Sequence, residues 1–255
     1  MNVVGIVPAR MAASRFPGKP MKNIVGMPMI GHCYHRTDLA SGIDAAYVAT
    51  CDKVIYDYVE SIGGNAVMTS DTHTRATTRT AEAMEIIEQQ TGMKIDIVAM
   101  VQGDEPLMSP ELISETIGHF ENDDVNVVNI MSRITSKEQF LDINNVKVVV
   151  NLDSDALYFS REGIPSSWHG TNALPMFMQT GVIAFRRDTL VHFNSMKETP
   201  LEIIESVDMN RILESGGKIR MVATDQYTLG IDTPVELAHA EDLLTVDPVL
   251  KLYME

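Results

Sequence analysis

Apolar and polar residues alternate along the first half of the chain in blocks that change period at each boundary. Residues 3–7 (VVGIV) form an unbroken apolar run, the pattern of a strand buried on both faces, and lead into a loop of prolines, small residues and cations. After a short connection at 22–27, Ile30, Cys33, Tyr34 and Leu39 recur at helical spacing and predict a helix over 29–40. A second buried strand at 45–50 follows, then a helix at 54–62, a Gly63-Gly64 stop and a short strand at 66–68. The polar loop 69–79 gives way to a helix over 80–88, with Ala81, Met84 and Ile87 on its inner face. Residues 95–101 are the most apolar strand of this half, and a helix is predicted at 110–120 with Ser109 as its N-cap. This rhythm predicts an α/β fold with a mostly parallel central sheet, helices on both faces and ligands at the carboxyl ends of the strands.

The texture changes near residue 126. Strands are expected at 125–133, 146–152, 156–160 and 177–185, with 151–155 as the turn of a hairpin, so that a small antiparallel subregion is inserted at about 126–195. Residues 163–174, which include the only tryptophan, Trp168, read as a long surface loop, and 190–194 as a short helix. The inserted patch suits either a dimer surface or a substrate lid. A single helix is predicted over 201–215, burying Ile203, Ile204, Val207 and Ile212 and leaving Glu202, Glu205, Asp208 and Arg211 as a solvated charged stripe. A strand at 218–223 and a helix at 235–244 complete one domain spanning 1–255.

Composition narrows the function. With 255 residues, 45% hydrophobic and 22% charged, the chain can bury a full core. Its formal charge of −15 argues against nucleic acid or an anionic membrane as partner, but not against a single nucleotide. Cys33 and Cys51 lack metal-ligand spacing and read as reduced thiols. With no apolar run of membrane-spanning length and no signal-peptide pattern, a cytoplasmic location is expected.

Against that acidic background, Arg10, Arg15 and Lys19 cluster in the loop after the first strand. Ala9, Ala12, Ala13, Ser14 and Gly18 allow backbone amides to approach an anion, while Pro8, Pro17 and Pro20 restrict the loop's shape. A polyphosphate is the simplest ligand, and a solvated basic turn is the competing reading. The hydroxyl-rich loop 69–79 carries Arg75 and Arg79 four apart at a helix start, which fits anion or base recognition or merely a turn. Asp104, in Gln102-Gly103-Asp104-Glu105-Pro106, lies at the end of an apolar strand, where carboxylates hold Mg²⁺; a capping role is the alternative, for which Ser109 is better placed. Asp232 precedes Thr-Pro and a helix, as an N-cap or a second Mg²⁺ carboxylate.

Taken in order, VPARMAASRFPGKP (7–20), GMPMIGHCYHR (26–36), VQGDEPLM (101–108), NNVKVVVNLDSDALYFSREGIP (144–165), PLEIIESVDMNR (200–211) and GIDTP (230–234) resemble the 3-deoxy-manno-octulosonate (Kdo) cytidylyltransferase family over nearly the whole chain. The resemblance implies a Rossmann-like nucleotidyltransferase fold, a homodimer, and in-line attack of a sugar hydroxyl on the α-phosphorus of CTP. It implies CTP binding by Ala9, Arg10, Arg15, Lys19, Thr77 and Gln102, with Arg10 and Lys19 catalytic and Asp104 and Asp232 holding catalytic Mg²⁺. It implies sugar contacts from Glu205 and Asp208, and the acceptor is expected to be read as well by Arg75, Arg79 and Gln179, on the loop and strand where this chain departs from the family pattern. Three landmarks depart. Ser-Gly-Thr-Glu/Asp-Arg is here Arg75-Ala76-Thr77-Thr78-Arg79, His-x-Gly-x-Tyr-x-Tyr is Gln179-Thr-Gly181-Val-Ile183-Ala-Phe185, and a pair of aspartates is Cys51-Asp52. The donor landmarks are intact and the acceptor ones altered. The resemblance implies Kdo as the acceptor, the altered landmarks leave another 2-keto sugar acid or a phosphonate as the alternative, and a non-catalytic nucleotide binder is the third reading.

Overall fold

The computed structural model describes residues 1–12, 15–168, 170, 175–226 and 228–254. Ala13 and Ser14 of the basic loop, and residues 169 and 171–174 of the stretch around Trp168, lie outside the described residues. The chain divides into two units, Met1–Gly118 with Thr228–Glu255, and His119–Tyr227.

The first unit opens with β1 (Val3–Ala9), in which all seven residues are buried as its apolar run requires. A two-strand hairpin, β2 (Asn23–Ile24) and β3 (Met27–Pro28), occupies the connection before α1 (Met29–Asp38). Then come β4 (Ala45–Thr50), α2 (Lys53–Ser61), β5 (Asn65–Met68), α3 (Ala76–Thr91), β6 (Ile97–Val101) and α4 (Pro110–Gly118). The strands pair in the order β6-β1-β4-β5, all parallel, with Val3 opposite Ile97 and Ala9 opposite Thr50. Their carboxyl ends therefore fall on one edge, where Arg10 and Gln102 leave the sheet. The α/β class and parallel sheet read from the sequence are observed here.

Two glycines shape that edge. A Cβ at Gly103 would stand 2.8 Å from the Pro8 carbonyl oxygen, so only glycine lets the turn after β6 lie against the end of β1. Gly18 adopts φ 73°, a left-handed conformation that turns the basic loop into the short helix holding Lys19.

In the second unit, β7 (Val127–Arg133) is followed by α5 (Lys137–Leu141), β8 (Lys147–Val150), β9 (Ala156–Ser160), β10 (Phe177–Arg186), α6 (Arg187–Ser195), α7 (Pro200–Glu205), α8 (Met209–Glu214) and β11 (Arg220–Thr224). The pairs β7/β10, β10/β8 and β8/β9 are antiparallel, and β11 runs parallel to β7. The predicted hairpin turn is present, with the Asn151 side chain accepting from the amides of Asp153 and Asp155, both at 2.9 Å.

The helix expected over 201–215 is two helices. Ser206 takes φ 53° between α7 and α8 and breaks the helical register. In consequence Ile203 and Ile204, expected inside, are 59% and 75% exposed, while Val207 and Ile212 are buried. The stripe is not solvated either. Arg211 and Glu202 are both buried, with Arg211 Nε 2.7 Å from Glu202 Oε2 and Nη2 2.5 Å from Oε1. A helical wheel assumes one axis, and the break at Ser206 supplies two.

The chain returns to the first unit through α9 (Pro234–Val246), whose Ala240 and Leu244 pack with Ile24, Met29, Ile231 and Leu250. Among the described residues no helix is long and apolar enough to cross a membrane.

Candidate active site at the carboxyl edge of the parallel sheet

The basic loop is held in place by polar contacts before any ligand is considered. Asp52, just after β4, accepts from the Met11 amide at 2.7 Å, and the Gly18 amide donates to the Met11 carbonyl at 3.0 Å. In the sequence Asp52 is only half of an altered pair, and its position one residue past Cys51 at a strand end is the available signal.

Lys19 turns its ammonium inward. Nζ donates to Asp104 Oδ2 at 2.7 Å, to the Ile231 carbonyl at 2.8 Å and to Asp232 Oδ1 at 3.0 Å, which saturates its three donors. Burial opposes its charge, but Asp104 and Asp232 outweigh that and raise its pKa above the usual lysine value. Arg15 Nη2 reaches Asp232 Oδ2 at 2.8 Å. The Ile231 amide donates to the Asp104 carbonyl at 2.9 Å, tying the 230–234 turn to the turn after β6.

Both aspartates escape capping duty. The Leu112 amide, in the first turn of α4, lies 3.4 Å from Ser109 Oγ. Thr233, not Asp232, caps α9, through a reciprocal box with Glu236. The carboxylates of Asp104 and Asp232 thus converge on one cationic atom.

One pocket is lined by Ala9, Arg10, Arg15, Lys19, Arg75, Arg79, Gln102, Asp104 and Asp232 among the residues singled out from the sequence. Arg10 Nη1 donates to the His73 carbonyl at 3.3 Å. Arg79 is buried, with Nη1 3.2 Å from the Ser70 carbonyl and in contact with Thr69 Oγ1. His73, Thr74 and Phe16, which sequence reasoning did not select, also line the pocket. His73 is fixed between Thr78 Oγ1 at 3.0 Å and Glu82 Oε2 at 2.5 Å, and Glu82 also accepts from the Ser70 amide at 2.9 Å. Thr77 is buried within α3 and does not line the pocket.

Gln179, Glu205 and Asp208 belong to the second unit. Gln179 Nε2 donates to Asn129 Oδ1 at 2.8 Å. Glu205 accepts from Tyr158 Oη at 2.7 Å, Ser160 Oγ at 2.9 Å and the Arg161 amide at 2.8 Å. Its burial opposes ionisation, yet those donors keep its pKa below the usual carboxylate range, and burial with the Glu205 contact pushes Tyr158 up to about 12. Asp208 sits at the start of α8 without capping it through its side chain.

A parallel α/β sheet whose carboxyl edge holds one pocket lined by five cationic side chains and by two carboxylates that converge on Lys19 fits a nucleotide-handling enzyme class. The chain belongs to the cytidylyltransferase family, whose model matches residues 4–219. It is 40% identical over 248 residues to a 3-deoxy-manno-octulosonate cytidylyltransferase of Geobacter metallireducens, covering 93% of this chain and 95% of that one. It is 38% identical over 253 residues to the enzyme of the same name from Trichlorobacter lovleyi, covering 95% and 98%. Among solved structures it resembles CMP:2-keto-3-deoxy-manno-octonic acid synthetase complexed with CTP, with a TM-score of 0.86 and 33% identity over 96% of this chain and 99% of that one.

Proposed function

We propose that this cytidylyltransferase moves CMP from CTP to Kdo. The observation that carries the reading is the pocket in which Arg10, Arg15 and Lys19 meet Asp104 and Asp232 at the carboxyl edge of the parallel sheet. A sugar hydroxyl attacks the α-phosphorus in line. The bond from that phosphorus to the bridging oxygen of pyrophosphate breaks, the new P–O bond gives the CMP-sugar, and the hydroxyl proton passes to solvent. Arg10, Arg15 and Lys19 bind the triphosphate and offset the charge that develops on the leaving pyrophosphate. Catalysis comes from positioning and charge stabilisation, with no covalent enzyme intermediate.

The residues present fit Mg²⁺. Two carboxylates already share one cation at 2.7 and 3.0 Å, and among the described residues no third His, Cys, Asp or Glu completes a metal cluster. That ligand count suits a hard cation that takes one or two carboxylates with phosphate and water oxygens. Asp104 and Asp232 would hold the ion, which when bound acts as a Lewis acid on the phosphoryl oxygens.

A homodimer in the cytoplasm completes the reading, and the exposed Ile203 and Ile204 supply apolar surface for pairing. The test is pyrophosphate release from CTP and Mg²⁺ with a panel of Kdo, other 2-keto sugar acids and phosphonates. Turnover with Kdo supports the proposal, and turnover only with another acid reassigns the acceptor. CTP binding without release for any acceptor would overturn it. Light scattering measures the oligomeric state.

A further inference from the structure

Arg79 is buried at 3% exposure, yet its Nη2 has no hydrogen-bond partner among the described residues while Nη1 is held by Thr69 and Ser70. A desolvated guanidinium N–H left unpaired costs free energy unless a ligand accepts from it. Arg79 lines the pocket, and so does Arg75, at the N-cap of the 16-residue α3 and one helical turn away. The first-turn amides of α3 favour an anion at the same place.

Charge supports one kind of occupant. Five cationic side chains and two carboxylates line this pocket. Magnesium neutralises part of the charge of a nucleoside triphosphate, so a bound metal–CTP complex leaves positive charge in excess. An acceptor carboxylate offsets it, and its planar oxygen pair matches the fork of an arginine.

We propose that Arg75 and Arg79 form the subsite for the acceptor's carboxylate, and that Arg75 determines acceptor specificity. This rests on the reading of the protein as a cytidylyltransferase acting on a sugar acid. Holding the carboxylate, the acceptor's permanent charge, fixes the orientation of the sugar relative to the phosphates held by Arg10 and Lys19. The rival occupant of the pair is the terminal phosphate of CTP.

Isothermal titration separates the two. The full-length wild type, Arg75→Gln and Arg79→Lys are titrated with α,β-methylene CTP and Mg²⁺, and then with Kdo. Arg75→Gln is expected to weaken Kdo binding roughly tenfold or more, with nucleotide affinity changed by less than about twofold. Because Arg79 is buried, near-UV circular dichroism accompanies its variant, and the more open Arg75 decides the matter if that variant unfolds. Equal losses for both ligands, or an unchanged Kdo affinity, overturn the subsite. If the wild type binds the nucleotide but not Kdo, the choice of Kdo fails separately, and the panel of sugar acids and phosphonates replaces it. The subsite then stands if the acid that binds depends on Arg75, and falls if none binds or the variant is indifferent.

Discussion

The ammonium of Lys19 lies 2.7 Å from Asp104 Oδ2 and 3.0 Å from Asp232 Oδ1, so one basic residue of the first loop occupies both carboxylates expected to hold metal. The contact makes metal and nucleotide binding interdependent. A triphosphate offers Lys19 alternative acceptors and frees the two carboxylates, while a divalent cation without nucleotide must displace the ammonium unaided.

Manganese, followed by electron paramagnetic resonance, should therefore bind at least roughly tenfold more tightly when CTP is present. Equal affinity with and without CTP would show that Lys19 does not compete for the site. Asp104→Asn and Asp232→Asn should each abolish metal-dependent pyrophosphate release with an unchanged circular dichroism spectrum, and near-normal turnover in both would remove them from the metal site.

Two groups set opposite edges of the pH range. The Lys19 pKa is raised above its unfolded value of 10.5, so its stabilising contribution is complete below 10.5 and is lost as pH climbs through the folded value. The difference in melting temperature between wild type and Lys19→Met should shrink only at that alkaline end.

His32 behaves in the opposite sense. Its Nε2 lies 2.8 Å from the Ile24 carbonyl, which only accepts, so the proton sits there and Nδ1 accepts from Tyr253 Oη at 2.9 Å. Burial, aided by nearby Arg36 and His35 and opposed by the Ile24 contact, lowers its pKa below 6.5. The unfolded chain then binds more protons than the folded one as pH falls below 6.5, and stability declines. His35 is lowered as well, chiefly by burial. Thermal melts from pH 7.5 to 5 should slope less for His32→Gln and least for the variant lacking both histidines; parallel slopes would exclude them.

The buried pair of Arg211 and Glu202 should respond unevenly to substitution. Arg211→Met leaves Glu202 without its partner and is expected to cost about 3–5 kcal/mol, whereas pairing it with Glu202→Leu should restore much of the loss. Urea denaturation measures both, and a double variant as unstable as the single would place the cost in packing against Phe193, whose ring centroid lies 4.2 Å from the Arg211 guanidinium.

The sequence by itself determined the order of the parallel strands and their helices in the first unit, though not the β2/β3 hairpin, because β1, β4 and β6 are apolar runs bounded by loops and need no distant partner to be recognised. It also singled out Arg10, Lys19, Asp104 and Asp232, which line one pocket, since each lies near a strand end or a helix start and carries charge where core residues cannot. The break at Ser206 was hidden, because a left-handed serine has no local signature, and with it went the burial of Glu202 and the exposure of Ile203 and Ile204. Only the tertiary structure decided that Lys19 bridges two carboxylates 85 and 213 residues away, that Asp52 anchors the basic loop, and that Arg79 is buried with one N–H edge unpaired. Those facts depend on which strand ends meet at one edge of a sheet, and sheet order is set by long-range packing that no single segment encodes.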